Sequence, residues 1–463
     1  MTREKVSLKV NLTIIGCSAL AFCGVLLETA MNVTFPTLMR QFNLPLATVE
    51  WVATGYLLAV AITMALGAYA QRQFSFQKII MTATILFLSG GLLCAFAGGF
   101  WLLLMGRIIQ GIATGLIMPL LFAEIMREIP HRIQGSYVGI AGMVVALAPS
   151  VGPSYGGIVT QSFGWQMIFV LVLPIGVLAG GLASVTVKKM SRTAIKQRFP
   201  VLQGICLSFA LIGFIIGFNQ MGSAGLSTSV VWGSLLIGIG GLIAFGLLSH
   251  RSAHPIINLK IFRSAGFRLA LGLYFLLMFM QVGQTFLVPN FAQIVLKTGT
   301  FEAGALLLAG SLASAVLAPI AGRLFDRFPV KHTLTIGCVF IVLAASGLLG
   351  MANHLSAIDI VAGFLVFMVG FSFIFNNAMT YGLQQLSADL VADGNATFNT
   401  LQQYAASLST AVVGTIVTLV GGPQTSVSDM KQSAVEVYLM LFVLALVVVG
   451  LVVRLCYFDR GNH

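Results

Sequence analysis

The sequence predicts an all-α polytopic membrane protein with fourteen transmembrane helices and both termini in the cytoplasm. Of its 463 residues, 58% are hydrophobic and only 8% are charged, whereas a soluble domain carries about 25% charged residues. The mean hydropathy is +0.98. So little polar surface cannot cover a water-soluble globule of this size, which excludes a cytosolic enzyme, a secreted domain and a disordered chain.

Apolar runs follow one another along the whole chain with short connections. A membrane helix needs roughly 20 apolar residues. The first run is too long for a cleavable signal peptide, and no small-residue cleavage site follows it. The predicted spans are 11–35, 49–70, 79–99, 101–126, 137–161, 165–187, 201–220, 230–249, 268–290, 303–322, 333–353, 358–382, 396–421 and 434–454.

The basic residues give the expected orientation. With the N-terminus inside, the inner connections hold 21 of the 25 Lys and Arg residues. The outer connections hold Arg40, Lys297 and Lys431, and Arg107 lies within a span. This asymmetry follows the positive-inside rule. Because the basic residues are spread over many short loops, the net charge of +12 does not indicate nucleic-acid binding.

Cysteine and histidine patterns give no sign of a metal or redox site. The six cysteines lie in or beside apolar runs and form no CxxC pair. We find no histidine cluster, nucleophile motif or phosphate loop, and no span has a ring-forming polar filter pattern. The sequence therefore predicts neither an enzyme nor a channel, and no metal or cofactor.

A weak internal repeat indicates two halves. Gly67 to Arg72 follows the second span, and Gly322 to Lys331 follows the tenth; both are short basic turns. If they are equivalent, each half has six helices and two further helices lie between them. Such repeats are typical of transporters whose substrate site lies between the halves. The predicted units are a first bundle at 1–190, a basic linker with two central helices at 191–253, and a second bundle at 254–463.

Motifs in five segments carry a family resemblance. The fourth span reads LMGRIIQG from Leu104 to Gly111, and the fifth reads APSVGPSYGG from Ala148 to Gly157. Further matches lie at 164–176, 254–262 and 394–403. These motifs resemble the major facilitator superfamily and, within it, the fourteen-helix drug:proton antiporters. The resemblance implies the major facilitator fold and the export of amphipathic, often cationic, compounds in exchange for protons.

The chain departs from the family pattern in the first loop and the first span. Gln71 stands at the usual loop aspartate and Phe74 at a usual glycine, while the second copy has Pro329 at its glycine. In the first span, Leu27 falls at the family's aspartate and Glu28 follows it directly. The resemblance then assigns the role of that aspartate to Glu28.

Ionisable groups within spans are costly and mark functional sites. Glu28 lies roughly 12 Å below the outer boundary and Arg107 roughly 9 Å below it, counted at 1.5 Å per residue. Burial favours the protonated carboxyl and a nearby guanidinium favours the carboxylate. Glu28 and Arg107 are both predicted to couple proton movement to transport. The alternatives are a cross-helix hydrogen bond by Glu28 and a structural tie by Arg107.

The sequence also predicts roles for the remaining charged residues in and beside the spans. Glu124, near the inner end of the fourth span, is a second proton candidate, although a paired interfacial role fits it better. Carboxylates at outer helix ends are expected to be solvated; these are Glu50, Asp359 and Glu436. The resemblance favours a cytoplasmic gate, and its predicted residues are Arg72, Asp326 and Arg327. The alternative for Asp326 and Arg327 is a plain turn with a solvated ion pair.

The fifth span predicts a flexible, closely packed helix. Gly152, Gly156 and Gly157 let a neighbouring backbone approach, and Pro149 and Pro153 interrupt the helical hydrogen-bond ladder. A hinge at the interface of the halves would serve alternating access. The alternative is a tight crossing without movement.

Polar, methionine and aromatic residues within spans outline a candidate binding cavity. Methionine and aromatic surfaces adapt to varied apolar ligands, although each single residue also fits ordinary helix packing. The predicted substrate-binding residues are Asn32, Gln110, Met278, Gln281, Gln284, Phe286, Asn376, Asn377, Tyr381, Asn399, Gln402 and Tyr404.

The favoured function is proton-coupled multidrug efflux in a prokaryotic plasma membrane. The expected partners are the lipid bilayer, protons and small amphipathic molecules, with the proton gradient as the energy source. One alternative is a dedicated exporter of one metabolite, peptide or siderophore. A second is a membrane sensor or scaffold without transport activity.

Overall fold

The structure, a computed structural model, describes residues 6–187, 200–224, 228–252, 255–328, 330–387, 390–421 and 426–461. These residues are helical apart from short connections and contain no β-strand, as the sequence predicts. Within them, thirteen helices are long and apolar enough to cross a membrane. The remaining predicted span, 137–161, lies on a further helix in which several side chains are outside the described set. The count of fourteen and the position of the termini therefore stay predictions.

Seventeen α-helices follow one another in the described chain. They are α1 (Leu8–Ala30), α2 (Phe35–Phe42), α3 (Leu46–Val49), α4 (Trp51–Gln73), α5 (Phe76–Ala95), α6 (Phe100–Glu128), α7 (His131–Phe163), α8 (Met167–Thr186), α9 (Val201–Ala224), α10 (Ser229–Arg251), α11 (Ala265–Ile294), α12 (Thr300–Ala305), α13 (Leu308–Arg327), α14 (Val330–Met351), α15 (Ala357–Gln384), α16 (Val391–Gly421) and α17 (Val427–Gly461).

Two predicted spans are interrupted at their predicted outer ends. The first, 11–35, ends its α-helix at Ala30 and continues as a short 3₁₀ turn, Met31–Thr34, before α2. Pro36 lies in the first turn of α2. Because proline has no N–H to donate, it suits a helix start and ends the hydrogen-bond ladder of α1. The tenth predicted span, 303–322, is likewise divided between α12 and α13.

The helices pack in two groups. In the first, α6 packs against α1, α4 and α5, and α1 packs against α7 and α8. In the second, α15 packs against α11, α13 and α14, and α17 packs against α11 and α14. Contacts of α4 with α16 and of α7 with α12 and α13 join the groups. The predicted boundaries fall beside 188–199 and 253–254, outside the described residues, so the division of the chain stays a prediction.

Helices α9 and α10 form a pair beside these groups. Helix α9 packs against α10, α4 and α16, so it touches both groups where they join. Helix α10 exposes large apolar side chains such as Leu236 and Ile243, as expected for a surface in contact with lipid.

The two groups are in contact at the predicted outer end. The side-chain amide of Gln293 on α11 donates to the Val33 carbonyl oxygen over 2.9 Å. The hydroxyl of Ser407 on α16 donates to the Thr54 carbonyl oxygen, also over 2.9 Å. We call these contacts, together with the packing of α12 on α7, the outer gate. The outer gate is closed in this structure.

Candidate functional site

Arg107 is fully buried on α6. Its Nε donates to the Val52 carbonyl oxygen and its Nη1 donates to the Gln110 side-chain oxygen, each over 3.2 Å. The guanidinium lies 4.0 Å from the ring centroid of Tyr56, within cation–π distance. Its Nη2 has no hydrogen-bond partner among the described residues. These contacts therefore hold the Arg107 cation between α4 and α6, and its Nη2 group can still donate to another partner.

Glu28 is buried on α1, at 8% exposure. Its Oε2 has no hydrogen-bond partner among the described residues. No ion pair joins it to Arg107, although both residues belong to the described chain. Tyr56 places the two side chains in the same region, because its ring lies against the Arg107 guanidinium and its hydroxyl bonds to the Gly24 carbonyl oxygen, one turn before Glu28. A buried carboxyl next to a cation, but not locked to it, can exchange its proton for another positive group.

Tyr56 connects the three helices around this pair, and sequence analysis missed it. Its hydroxyl oxygen lies 2.9 Å from the Gly24 carbonyl oxygen and 2.8 Å from the Thr114 hydroxyl. Gly24 lies one turn before Glu28 on α1. A buried tyrosine needs a partner for its hydroxyl, which was the available signal, but the sequence does not show which helices supply it.

We expect Tyr56→Phe to lower stability modestly. The change removes both hydroxyl contacts and leaves the ring under Arg107, so the loss should be about 0.5–1.5 kcal/mol. Thermal unfolding of the purified protein in detergent measures this. Tyr457→Phe is the control, because that side chain is 70% exposed and should unfold like the unchanged protein. Equal melting temperatures for both variants would contradict the assigned contacts.

The other predicted residues of the first group differ in their surroundings. Asn32 is buried in the 3₁₀ turn that follows α1. Glu124 is buried near the end of α6, and its Oε2 lies 2.6 Å from Arg127 Nη2. Arg127 also stacks on the ring of Phe76, 4.1 Å from its centroid. Glu124 therefore has a fixed cationic partner, whereas Glu28 has none.

Three of the predicted residues in the second group lie near the first group or in an aromatic cluster. Phe286 packs against Phe35, with ring centroids 5.6 Å apart. Met278 packs against an apolar cluster that contains Tyr56. Gln402 accepts a hydrogen bond of 2.6 Å from Tyr274, whose ring stacks on another aromatic ring at 4.0 Å. Sequence analysis missed Tyr274, although the predicted span 268–290 contains it, because its partner Gln402 lies on another helix.

The remaining predicted cavity residues are spread along α11, α15 and α16. Asn377 on α15 donates to the Ala321 carbonyl oxygen on α13 and to the Phe373 carbonyl oxygen within α15. Gln284 is buried, and its Oε1 has no partner among the described residues. The structure buries Gln281, Tyr381 and Tyr404, leaves Asn376 exposed, and half-buries Asn399, which bonds within α16.

The predicted hinge residues lie on the two sides of α7. A Cβ at Gly152 would overlap the Thr29 side chain, and one at Gly156 would overlap the Ala30 carbonyl oxygen, both on the α1 segment. A Cβ at Gly157 would lie 2.6 Å from the Phe301 Cα of α12. Pro149 is half-buried and Pro153 is buried. Helix α7 therefore touches α1 through one side and the opposite group through another.

The predicted cytoplasmic gate is not tested. The side chains of Arg72 and Asp326 lie outside the described set, and Arg327 is exposed at the end of α13. The gate stays a prediction.

The expectation that Glu50 is solvated is wrong. Glu50 is 0% exposed, because α9 and α16 cover the start of α4. Asp359, in contrast, forms a capping box with Ser356 at the start of α15, and Glu436 is exposed.

Comparisons with known proteins match this chain over most of its length. A family profile described as Major Facilitator Superfamily matches residues 17–410. The chain is 31% identical to "Lincomycin resistance protein LmrB" of Bacillus subtilis, over 89% of this chain and 86% of that protein. It is 27% identical to "Multidrug resistance protein B homolog" of Mycobacterium tuberculosis, over 84% and 73% of the two chains.

Solved transporter structures share the fold. A crystal structure of the peptide transporter POT has a TM-score of 0.70 at 15% identity, covering 96% of this chain and 94% of that one. A bacterial homologue of the human lysosomal transporter Spinster has a TM-score of 0.68 at 14% identity, covering 98% and 99%.

Proposed function

The chain belongs to the Major Facilitator Superfamily, and we propose that it exports amphipathic, often cationic, compounds in exchange for protons by alternating access. As a member of a transporter superfamily it is a transporter and not an enzyme, a multi-pass protein of a prokaryotic cell membrane. The observation that carries the proposal is the buried Glu28 carboxyl, which forms no ion pair and lies on the helix that Tyr56 connects to Arg107. The names of the two relatives, which concern lincomycin and multidrug resistance, support the class of substrate.

The exchange follows from competition for one carboxyl. A buried carboxylate is costly unless a positive group accompanies it, so either a proton or a cationic compound can neutralise Glu28. Arg107 favours release of the proton. With the outer gate closed, release and loading occur from the inner side. With the gate open, the compound leaves and a proton from outside takes its place.

The apolar cluster around Tyr56 fits a varied set of apolar molecules. Met278 and the partly buried Met118 pack against the cluster around Tyr56. Thioether side chains are flexible and polarisable, so such a surface adapts to ligands of different shapes. The sequence offers no acid deep within the second group, and in the first group Glu124 is paired with Arg127 and Glu50 is bonded to Asn219, so a cationic ligand would meet Glu28.

The proposal predicts uptake of a lipophilic cation into inside-out vesicles when their interior is acidified. Because one carboxyl carries one proton, exchange for a monovalent cation such as ethidium moves no net charge. The pH gradient should therefore drive uptake, and collapsing it with nigericin should stop uptake. A potassium diffusion potential set with valinomycin should have little effect.

Each outcome has a defined meaning. No gradient-dependent uptake with several lipophilic cations would overturn the proposal. It would favour the dedicated exporter of one compound or the protein without transport activity. A broad profile separates a multidrug exporter from a dedicated one. A strong response to the membrane potential, worth about 2.3 kcal/mol per charge per 100 mV, would require a second carried proton.

A further inference from the structure

Glu50 forms a buried polar site that the exchange at Glu28 does not use. Its Oε1 accepts a hydrogen bond from Asn219 Nδ2 on α9. The same Nδ2 donates to the Ala47 carbonyl oxygen over 3.2 Å, and Asn219 Oδ1 accepts from Trp51 Nε1 over 3.0 Å. An indole N–H can only donate, so Trp51 fixes the orientation of the amide. Asn219 therefore points its donor at Glu50 and holds the carboxyl in place.

The second oxygen of this carboxyl faces the other group of helices. Glu50 Oε2 has no hydrogen-bond partner among the described residues. It lies against Gly414 on α16, where a Cβ would overlap it. One turn along α4, Thr54 accepts the outer-gate hydrogen bond from Ser407. The carboxyl is thus part of the contact between α4 and α16 that closes the outer gate.

No cationic side chain among the described residues forms an ion pair with Glu50. In the sequence, α3 and α9 carry no charged residue, α4 carries Arg72 at its far end, and α16 carries Asp393 at its far end. Arg107 on α6 bonds to the Val52 carbonyl oxygen and to Gln110, and it forms no ion pair with Glu50. Arg40, on the neighbouring α2, is exposed and bonds to the Pro36 carbonyl oxygen. A buried carboxylate without a partner costs several kcal/mol, whereas a protonated carboxyl needs none. Closing this contact therefore favours the protonated acid.

We propose that Glu50 is a second proton-binding site, which takes up a proton from the outer side when the outer gate closes and returns it there when the gate opens. Asn219 is a positioning residue, and the α9–α10 pair presents it to the gate. The inference rests on the proposed function, since it concerns the outer half of that cycle. The proton on Glu28 crosses the membrane, whereas the proton on Glu50 does not. Binding of the proton to Glu50 makes closure of the outer gate depend on the external pH.

The sign of the effect follows from linkage. Closure binds a proton, so the closed population should be largest at low pH and should fall as pH rises. One proton changes the ratio of closed to open protein by up to about tenfold per pH unit. Glutamine resembles the protonated acid but cannot ionise, so Glu50→Gln should stay closed throughout.

Double electron–electron resonance can measure the gate directly. Spin labels at Arg40→Cys and Lys297→Cys would sit on exposed positions at the predicted outer end of the two groups. The partly exposed Cys206 and Cys456 would first be replaced. We expect a pH-dependent distance in the parent protein, a constant short distance in Glu50→Gln, and a retained pH response in Glu28→Gln. Gly414→Ala should favour the open gate at every pH, which gives a second test if Glu50→Gln folds poorly.

The proposal is overturned if the parent distance does not change with pH, or if Glu50→Gln responds like the parent. The experiment contains no substrate and measures no flux. A pH-dependent gate without export would leave this inference standing and remove the proposed function. Proton-driven export, together with a gate whose pH response is the same in Glu50→Gln as in the parent, would remove this inference and leave the proposed function standing.

Discussion

Replacing Glu28 with glutamine is expected to abolish transport driven by a pH gradient while leaving exchange of one substrate molecule for another. Glutamine keeps the size of the side chain but carries no exchangeable proton. Exchange between two substrate molecules needs no proton step, and saturating substrate offsets the affinity that a cation loses when the carboxylate is removed. Two activities are measured in proteoliposomes with saturating radiolabelled tetraphenylphosphonium. One is uptake driven by a pH gradient, and the other is counterflow without a gradient.

The controls separate proton coupling from folding. Glu436→Gln changes an exposed carboxyl of the same chain and should leave both activities unchanged. Arg107→Ala should reproduce the phenotype of Glu28→Gln, because without the guanidinium the buried carboxyl keeps its proton. If Arg107 only ties α4 to α6, its loss would instead lower the melting temperature and both activities together. Unchanged gradient-driven uptake in Glu28→Gln would move the proton site elsewhere, with Glu124 tested next.

The sequence located this pair because charge within an apolar span is unusual. Glu28 and Arg107 interrupt apolar runs, and counting residues from the predicted boundaries placed them at similar depth. The structure puts both in the described core, with Gln110 bonded to Arg107. Such a prediction needs only the composition of the span and the known rise per residue of an α-helix, so a single sequence is enough to make it.

Burial of Glu50 depends on tertiary contacts that no local pattern records. Its position directly before Trp51 indicates a helix start, and helix starts of membrane spans normally meet water. It is buried because α9, which is 150 or more residues later in the chain, supplies Asn219, and because Gly414 leaves space for the carboxyl. Tyr56 was missed for the same reason, since its partners lie on α1 and α6.

The sequence alone also could not predict which way the polar residues of the second group face. Lipid and protein interior are similarly apolar, so a membrane helix has little amphipathic pattern to show which side faces a cavity. Asn377 makes a contact with α13, whereas Gln402 meets Tyr274 on α11. Both stand in apolar spans with similar neighbours, and only the packing of the helices distinguishes them.

Two adjacent glycines on α7 should respond differently to alanine. A Cβ at Gly157 would lie 2.6 Å from both the Phe301 Cα and the Thr300 carbonyl oxygen of α12, across the outer gate. A Cβ at Gly156 would overlap the carbonyl oxygen of Ala30, which belongs to the same group as α7. Backbone atoms cannot rotate away as a flexible side chain can, so both changes force helices apart.

Gly157→Ala should therefore shift the outer gate toward the open state, because its overlap disappears when α7 and α12 separate. Overpacking costs about 1–3 kcal/mol, which corresponds to roughly a 5- to 150-fold change in the ratio of open to closed protein. The overlap at Gly156 persists whether the gate is open or closed, so Gly156→Ala should lower the melting temperature without changing the distance between labels at Arg40→Cys and Lys297→Cys. If both variants opened the gate equally, α7 would move as one piece with α1 and α12, and the two sides of this helix would not have separate roles. If neither did, the contact with α12 would be too compliant to form part of the gate.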